Sequence, residues 1–308
     1  MWLRFSLAGN PPPSSIRKFS ACRAGRISCE RRHCMTVIDA HLHVWRGVAD
    51  HPTPSMTPVS PASDVPLELF EQYMNEYAIE RAVLVQPLYP GEDNSYIAEC
   101  AARNPARFAA VCVVDPRSPG AEERLEYWVL RRGCKGLRLR PRVSAESEIL
   151  ASPQILPLWQ RADTLRIVVS ILGSPEHLPL IAAAAERFPS LRIILDHIAH
   201  PAVEDGVRGE RFRKLLEMAR YPHIYLKMSG YYYFSRERYP FGDCHPLIHA
   251  LYEHYGAERL IWGSDFPHVL LKTGYQRSLR FLQRTFSFLT ESDLNRIMRE
   301  NAAALYWN

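Results

Sequence analysis

The residues best suited to chemistry begin in Val37-Ile38-Asp39-Ala40-His41-Leu42-His43, where a strand-forming run ends in His-x-His. Alternate side chains of an extended strand share a face, so Asp39, His41 and His43 are expected to project together. Two imidazoles on one face at a strand end can chelate one metal ion or hold a polar substrate. Alone, such a pair is more often two solvated or structurally bonded histidines. Further groups of the same kind follow. Gly136-Leu137-Arg138-Leu139-Arg140 puts two guanidiniums on one strand face. Their natural ligand is a carboxylate held through paired N–H bonds, the alternative being ion pairs with buried acids. Leu195-Asp196-His197-Ile198-Ala199-His200-Pro201 carries two more imidazoles. Tyr231-Tyr232-Tyr233-Phe234 can wall a ligand pocket, with Tyr232 as a polar contact, or merely pack. In Trp262-Gly263-Ser264-Asp265-Phe266-Pro267-His268, Gly263 leaves space beside Asp265, which reads as a free carboxylate with His268 nearby.

These groups share a place in the chain's periodicity. From Met35 onward short β-rich runs recur at residues 37–41, 81–86, 108–114, 135–140, 166–171, 191–196, 223–228 and 260–263. Between them lie segments with helical apolar spacing, at 67–74, 178–188 and 211–219. A last helix is expected over 293–305, capped by Thr290 or Ser292. Alternating strands and helices imply a parallel sheet with right-handed crossovers. Eight of them in a body of this length fit a closed (β/α)8 TIM barrel, of the α/β class and a single domain, better than an open sheet. No Gly-x-Gly-x-x-Gly follows the first strand, which removes the main reason to prefer the open form. In a barrel the C-terminal strand ends meet at one mouth. There His41, His43, Gln86, Arg138, Arg140, His197, His200, Tyr232, Asp265 and His268 would converge, with Gln86 as a further substrate contact.

The 308 residues are 47% hydrophobic, enough for a well-buried core. No apolar run approaches the roughly 18 to 20 residues of a membrane span. Residues 1–34 hold seven Lys/Arg against Glu30 alone, while the body from Met35 carries 31 basic and 32 acidic residues. The basic balance belongs to the leader, so no nucleic-acid partner is inferred. An Arg-rich, Ser-containing, acid-poor leader has the pattern of a transit peptide for a chloroplast or mitochondrion; the alternative is a cytoplasmic protein that starts at Met35. Of the seven cysteines, Cys100, Cys112, Cys134 and Cys244 lie in the body and form no C-x-x-C pair, which speaks for a reducing compartment and against a cysteine zinc site.

Taken together, IDAHLHVW, GLRLRP, LDHIAHP, KMSG and WGSDFPH resemble the amidohydrolase-related branch of the metal-dependent hydrolase superfamily. Within it the chain is similar to the 2-pyrone-4,6-dicarboxylate and sugar-lactone lactonases, over about residues 35–308. The resemblance implies a hydrolase in which His41 and His43 are the first-strand pair, His197 the sixth-strand histidine and Asp265 the water-activating aspartate. The same four residues would hold a metal. A binuclear member would show a carboxylatable lysine at the end of strand four, where this chain has Arg138 and Arg140, with Lys135 at the strand's start. A mononuclear member usually offers a histidine on strand five, where this chain has Ser170, with His177 several residues later. The expected cofactor is therefore one divalent ion, zinc or manganese, or none. The expected substrate is a small acid or lactone bound by Arg138 and Arg140. A homodimer is the one macromolecular assembly allowed for. Two other functions fit the same barrel: a metal-dependent decarboxylase of an aromatic or unsaturated acid, and a binder of small acids without turnover. The missing strand-five histidine counts against the first, the free Asp265 against the second.

Overall fold

The computed structural model describes residues 36–47, 59–60, 63–88, 91–142 and 146–308. The basic leader at 1–34 lies outside the described residues. Eight strands run in chain order: β1 (Val37–Leu42), β2 (Ile79–Val85), β3 (Phe108–Val113), β4 (Gly136–Leu139), β5 (Val168–Ile171), β6 (Ile193–Leu195), β7 (Ile224–Met228) and β8 (Leu260–Trp262). Each pairs in parallel with the next. The ring closes where His43 N donates to Phe266 O at 2.7 Å and Asp265 N to His41 O at 2.8 Å. The TIM barrel is thus present, each strand overlapping its expected run. No helix among the described residues is long and apolar enough to cross a membrane.

Two apolar layers hold the barrel. Alternate residues Ile38, Ala40, Val83, Val85, Ala109, Val111, Val168, Ile194 and Ile261 fill its interior, closed below by Leu305 and Tyr306 of the last helix. The other strand faces, including Leu84, Cys112, Leu137, Leu139, Val169 and Leu226, pack against the surrounding helices. A strand apolar on both faces is what a barrel requires, which is why these runs read as continuous rather than alternating.

The helices begin and end for local reasons. The helix Leu67–Tyr77 buries Leu67, Phe70 and Met74 at helical spacing and stops where Ala78 turns left-handed. Leu178–Arg187 follows the same rule, burying Leu178, Ile181, Ala184 and Ala185. The expected helix at 211–219 forms as Glu210–Glu217. Of the two candidate caps for the last helix, Thr290 is the one used. Its Oγ1 accepts from Asp293 N at 3.1 Å, and the Asp293 carboxylate accepts from Thr290 N at 3.0 Å.

Candidate active site

β1 does not keep the simple alternation that the sequence suggested. Asp39 is opposite Ala82 and Leu42 is opposite Leu84, so three steps on β1 match two on β2. This extra residue is a bulge. It brings His41 and His43 to the mouth, their rings 5.0 Å apart, and leaves Asp39 on the other side. Asp39 accepts from Ser264 N at 2.9 Å and from the Tyr275 hydroxyl at 2.9 Å, tying β1 to the segment after β8 and to the helix layer. The expectation that Asp39 shares the histidine face is therefore corrected. Burial pushes its carboxyl up to about 6 against these bonds.

β6 solves a similar problem differently. Ile194 points inward, so Asp196 does as well, and His197 by alternation would point away. The chain instead enters a left-handed turn through His197, Ile198, Ala199 and His200, with φ of 50°, 46°, 55° and 47°. Successive Asp196 and His197 thereby both face the mouth. Two glycines make room. A Cβ on Gly230 would fall 2.6 Å from His197 Nδ1, and one on Gly263 would fall 2.6 Å from His41 Cβ. Gly263 therefore makes space for His41 rather than for Asp265.

Asp265 is almost fully buried, with its Oδ1 3.4 Å from His43 Nε2 and 3.8 Å from His41 Nε2. The Tyr232 hydroxyl donates to its Oδ2. Burial would raise this carboxyl, but His197, His43 and His268 hold it well below the usual carboxylate range. The imidazoles move the other way. Burial pushes His41 and His268 down to about 4 and His200 to about 3, and it holds His197 far below its usual range. The site is thus an ionised carboxylate beside the neutral imidazoles of His41, His197 and His268.

His41, His197 and Asp265 each offer a ligand atom within 4.8 Å of the others. His197 Nδ1 is held by Ser229 Oγ at 2.8 Å, and both ring nitrogens of buried His41 lack a hydrogen-bond partner. Orphaned, oriented imidazole nitrogens beside a carboxylate suit a divalent ion. His43, expected as a fourth ligand, lies outside this group, with its Nδ1 held by Val85 O at 2.8 Å and its Nε2 toward Asp265. β5 offers only Ser170, and His177 sits apart with its Nδ1 on Ser174.

The other expected contacts fare differently. Arg138 gives its Nε to Asp196 Oδ2 at 2.9 Å, so the ion-pair alternative accounts for it and a free carboxylate anchor does not. Arg140 is buried and donates Nη1 to Leu88 O at 3.3 Å. Gln86 places both amide protons on the loop carbonyls of Gly91 and Asp93, as a strap rather than a substrate contact. His200 and His268 do lie at the mouth, 5.3 Å from His197 and 5.6 Å from His43 between ring centroids. Sequence reasoning missed Asp196 and Lys227. Asp196 also lies 3.4 Å from His41 Nδ1 and 4.0 Å from Lys227 Nζ. Lys227, fully buried inside the barrel, donates to Ala40 O at 2.7 Å, and burial lowers it to about 8. Alternation from Ile194 and from Tyr225 was the signal that could have found both.

The model of the amidohydrolase family matches residues 38–307. The chain belongs to that family. It is 31% identical over 235 residues to an L-fucono-1,5-lactonase from Burkholderia ambifaria, covering 75% of this chain and 80% of the relative. It is 30% identical over 234 residues to a 4-sulfomuconolactone hydrolase from Rhizobium radiobacter, covering 75% of each. An amidohydrolase from Burkholderia multivorans, solved with bound zinc, superposes with a TM-score of 0.74 at 24% identity, covering 88% of this chain and 99% of that one. This last likeness establishes the shared fold.

Proposed function

We propose that this family member is a lactonase, opening the ring ester of a small carboxylated or sugar-acid lactone with Asp265 as general base. One observation carries the reading. A buried, ionised carboxylate stands at the barrel mouth, positioned by Tyr232 and faced by imidazoles, and no lysine or arginine among the described residues pairs with it. The two relatives named above, each named for a lactone, support the same class.

The chemistry balances with the groups present. A water beside Asp265 gives its proton to the carboxylate as its oxygen attacks the acyl carbon. Negative charge grows on the carbonyl oxygen, which His197 is oriented to meet because Ser229 holds its Nδ1. The ring C–O bond then breaks, Asp265 returns the proton to the departing alkoxide, and a hydroxy acid leaves. His41, His197 and Asp265 would hold one zinc or manganese ion. Such an ion would polarise the ester carbonyl and lower the pKa of a nearby water to about 7. Strained lactones need less assistance, so catalysis by the side chains alone is the outcome if no ion is found.

The test is metal analysis of the purified protein beside a screen of carboxylated and sugar-acid lactones, with and without chelator. Acid release on ring opening, lost in Asp265→Asn, is expected. Release of carbon dioxide from an aromatic acid, with every lactone untouched, would replace hydrolysis by decarboxylation.

A further inference from the structure

One buried charge has no part in the reaction as written, and it lies against a histidine of the site. Asp196 is fully buried, and its Oδ2 accepts from Arg138 Nε at 2.9 Å. Its Oδ1 lies 4.0 Å from Lys227 Nζ and 3.4 Å from His41 Nδ1. Lys227 in turn donates at 2.7 Å to the carbonyl of Ala40, the residue before His41. Groups from β4, the end of β6 and β7 thus meet at one histidine of β1.

Burial keeps His41 neutral against the pull of Asp196, helped by the Arg138 and Lys227 cations. A neutral imidazole has one N–H, and here two carboxylates compete for it. Asp196 Oδ1 is 3.4 Å from Nδ1, whereas Asp265 Oδ1 is 3.8 Å from Nε2. Asp265 already has the Tyr232 hydroxyl on its other oxygen. Asp196 Oδ1 has no hydrogen-bond partner among the described residues, and His41 Nδ1 has none either. Two buried orphans that face each other are both satisfied only when Nδ1 carries the proton. His43 reaches the same orientation by other means. Its Nδ1 lies 2.8 Å from Val85 O, and a carbonyl oxygen can only accept.

We propose that Asp196 is a positioning residue, which holds the single proton of His41 on Nδ1 and so turns a bare Nε2 toward the mouth and Asp265. The proposal rests on the lactonase reading above and gives His41 its part in that reaction. The attacking water passes one proton to Asp265, while its other hydrogen is held by His41 Nε2, which aims the oxygen at the acyl carbon. In the opposite tautomer the Nε2 hydrogen would point at the Asp265 carboxylate and compete with the water for it. Arg138 and Lys227 supply the positive charge that lets Asp196 stay buried as an anion.

Two-bond ¹⁵N–¹H spectra of the histidine-labelled full chain at neutral pH read the tautomer, with His41 assigned by the signals lost in His41→Gln. A proton on Nδ1 alone is expected; a proton on Nε2, or on both nitrogens, overturns the proposal. Asp196→Asn should invert the tautomer, because the amide oxygen stays on Arg138 and the amide NH₂ then donates to Nδ1. On a lactone, kcat should fall about 10²- to 10⁴-fold with KM little changed; the like substitution in the Ser-His-Asp triad, which leaves the wrong tautomer, costs about 10⁴. An Asn variant that keeps the proton on Nδ1 overturns the proposal, even with a lowered melting temperature, for Asp196 would then be structural only. So does normal turnover. Should that variant not fold, the spectrum of the unsubstituted chain decides by the outcomes given for it. The spectrum needs no substrate, so if no lactone is opened the lactonase reading fails, while the position of the His41 proton is still decided.

Discussion

Asp265 and Arg138 show how differently two buried charges can serve one mouth. Asp265 is ionised yet, among the described residues, has only imidazoles and the phenols of Tyr232 and Tyr233 beside it, so it is free to take a proton. Asp265→Asn keeps the shape and removes the acceptor. Turnover should fall about 10²- to 10⁴-fold with the fold intact by circular dichroism. Because the carboxyl lies well below its ordinary range and His41 and His268 titrate at about 4, the active protonation state persists into weak acid. The rate should stay level from neutrality to about pH 5 and drop only beyond it. A break near the ordinary histidine value of 6.5 would mean that another group controls the rate. Arg138 compensates Asp196 instead. Arg138→Met removes one partner of a buried pair and should cost about 3 kcal/mol, read by denaturant unfolding. A variant of normal stability with a raised KM would return Arg138 to the substrate.

The elements that matter most are those that break their own regularity. The β1 bulge and the left-handed turn after β6 each place a histidine that plain alternation would turn away. Four non-glycine residues in left-handed conformation cost about 1–2 kcal/mol each, a strain offset by the packing of Ile198 and Ala199 in the core. The glycines that receive those histidines are the sensitive points. Gly263→Ala puts a methyl 2.6 Å from His41 Cβ and 2.9 Å from its backbone nitrogen, where little can move. It should cost about 1–3 kcal/mol by overpacking and reduce turnover by shifting His41. Gly173→Ala, at another glycine without a positive φ, meets nothing nearer than 3.6 Å and is the control. Equal effects at the two positions would show that loss of the glycine itself, and not the His41 contact, is responsible.

For the molecule as a whole, stability and boundaries can be tested together. His41, His200 and His268 titrate at about 4, 3 and 4 in the fold against 6.5 when free. The unfolded chain binds protons first, so their contribution is complete above about 6.5 and is lost as pH falls toward 4. Asp39 acts in the opposite sense, since its folded value of about 6 exceeds 3.8. Three histidines outweigh one carboxyl, so the melting temperature should decline steadily below about pH 6.5. A flat profile down to pH 4 would contradict neutral burial of these rings. We further propose that the basic leader is a targeting segment outside the catalytic fold. The family match starts at residue 38, so a chain of residues 35–308 should melt and turn over as the full chain does. A large loss on truncation would make the leader part of the fold.

Fold class, strand number and the cluster of chemical groups at the strand ends were determined by the sequence alone. Each depends on local periodicity, and apolar runs of barrel length, punctuated by turn residues and followed by polar strand ends, leave few alternatives. The identities of His41, His43, His197 and Asp265 were legible for the same reason: they end strands. Tertiary structure decided who partners whom. Arg138 and Arg140 were equal candidates on one strand face until Asp196, contributed by β6, took Arg138. Asp39 and His41 looked alike until a bulge, set by pairing with β2, sent them to opposite sides. Lys227 read as an ordinary strand residue until closure of the ring placed its ammonium on Ala40 O. Alternation is a property of one strand, whereas pairing, register and the compensation of buried charge are properties of strands brought together from distant parts of the chain.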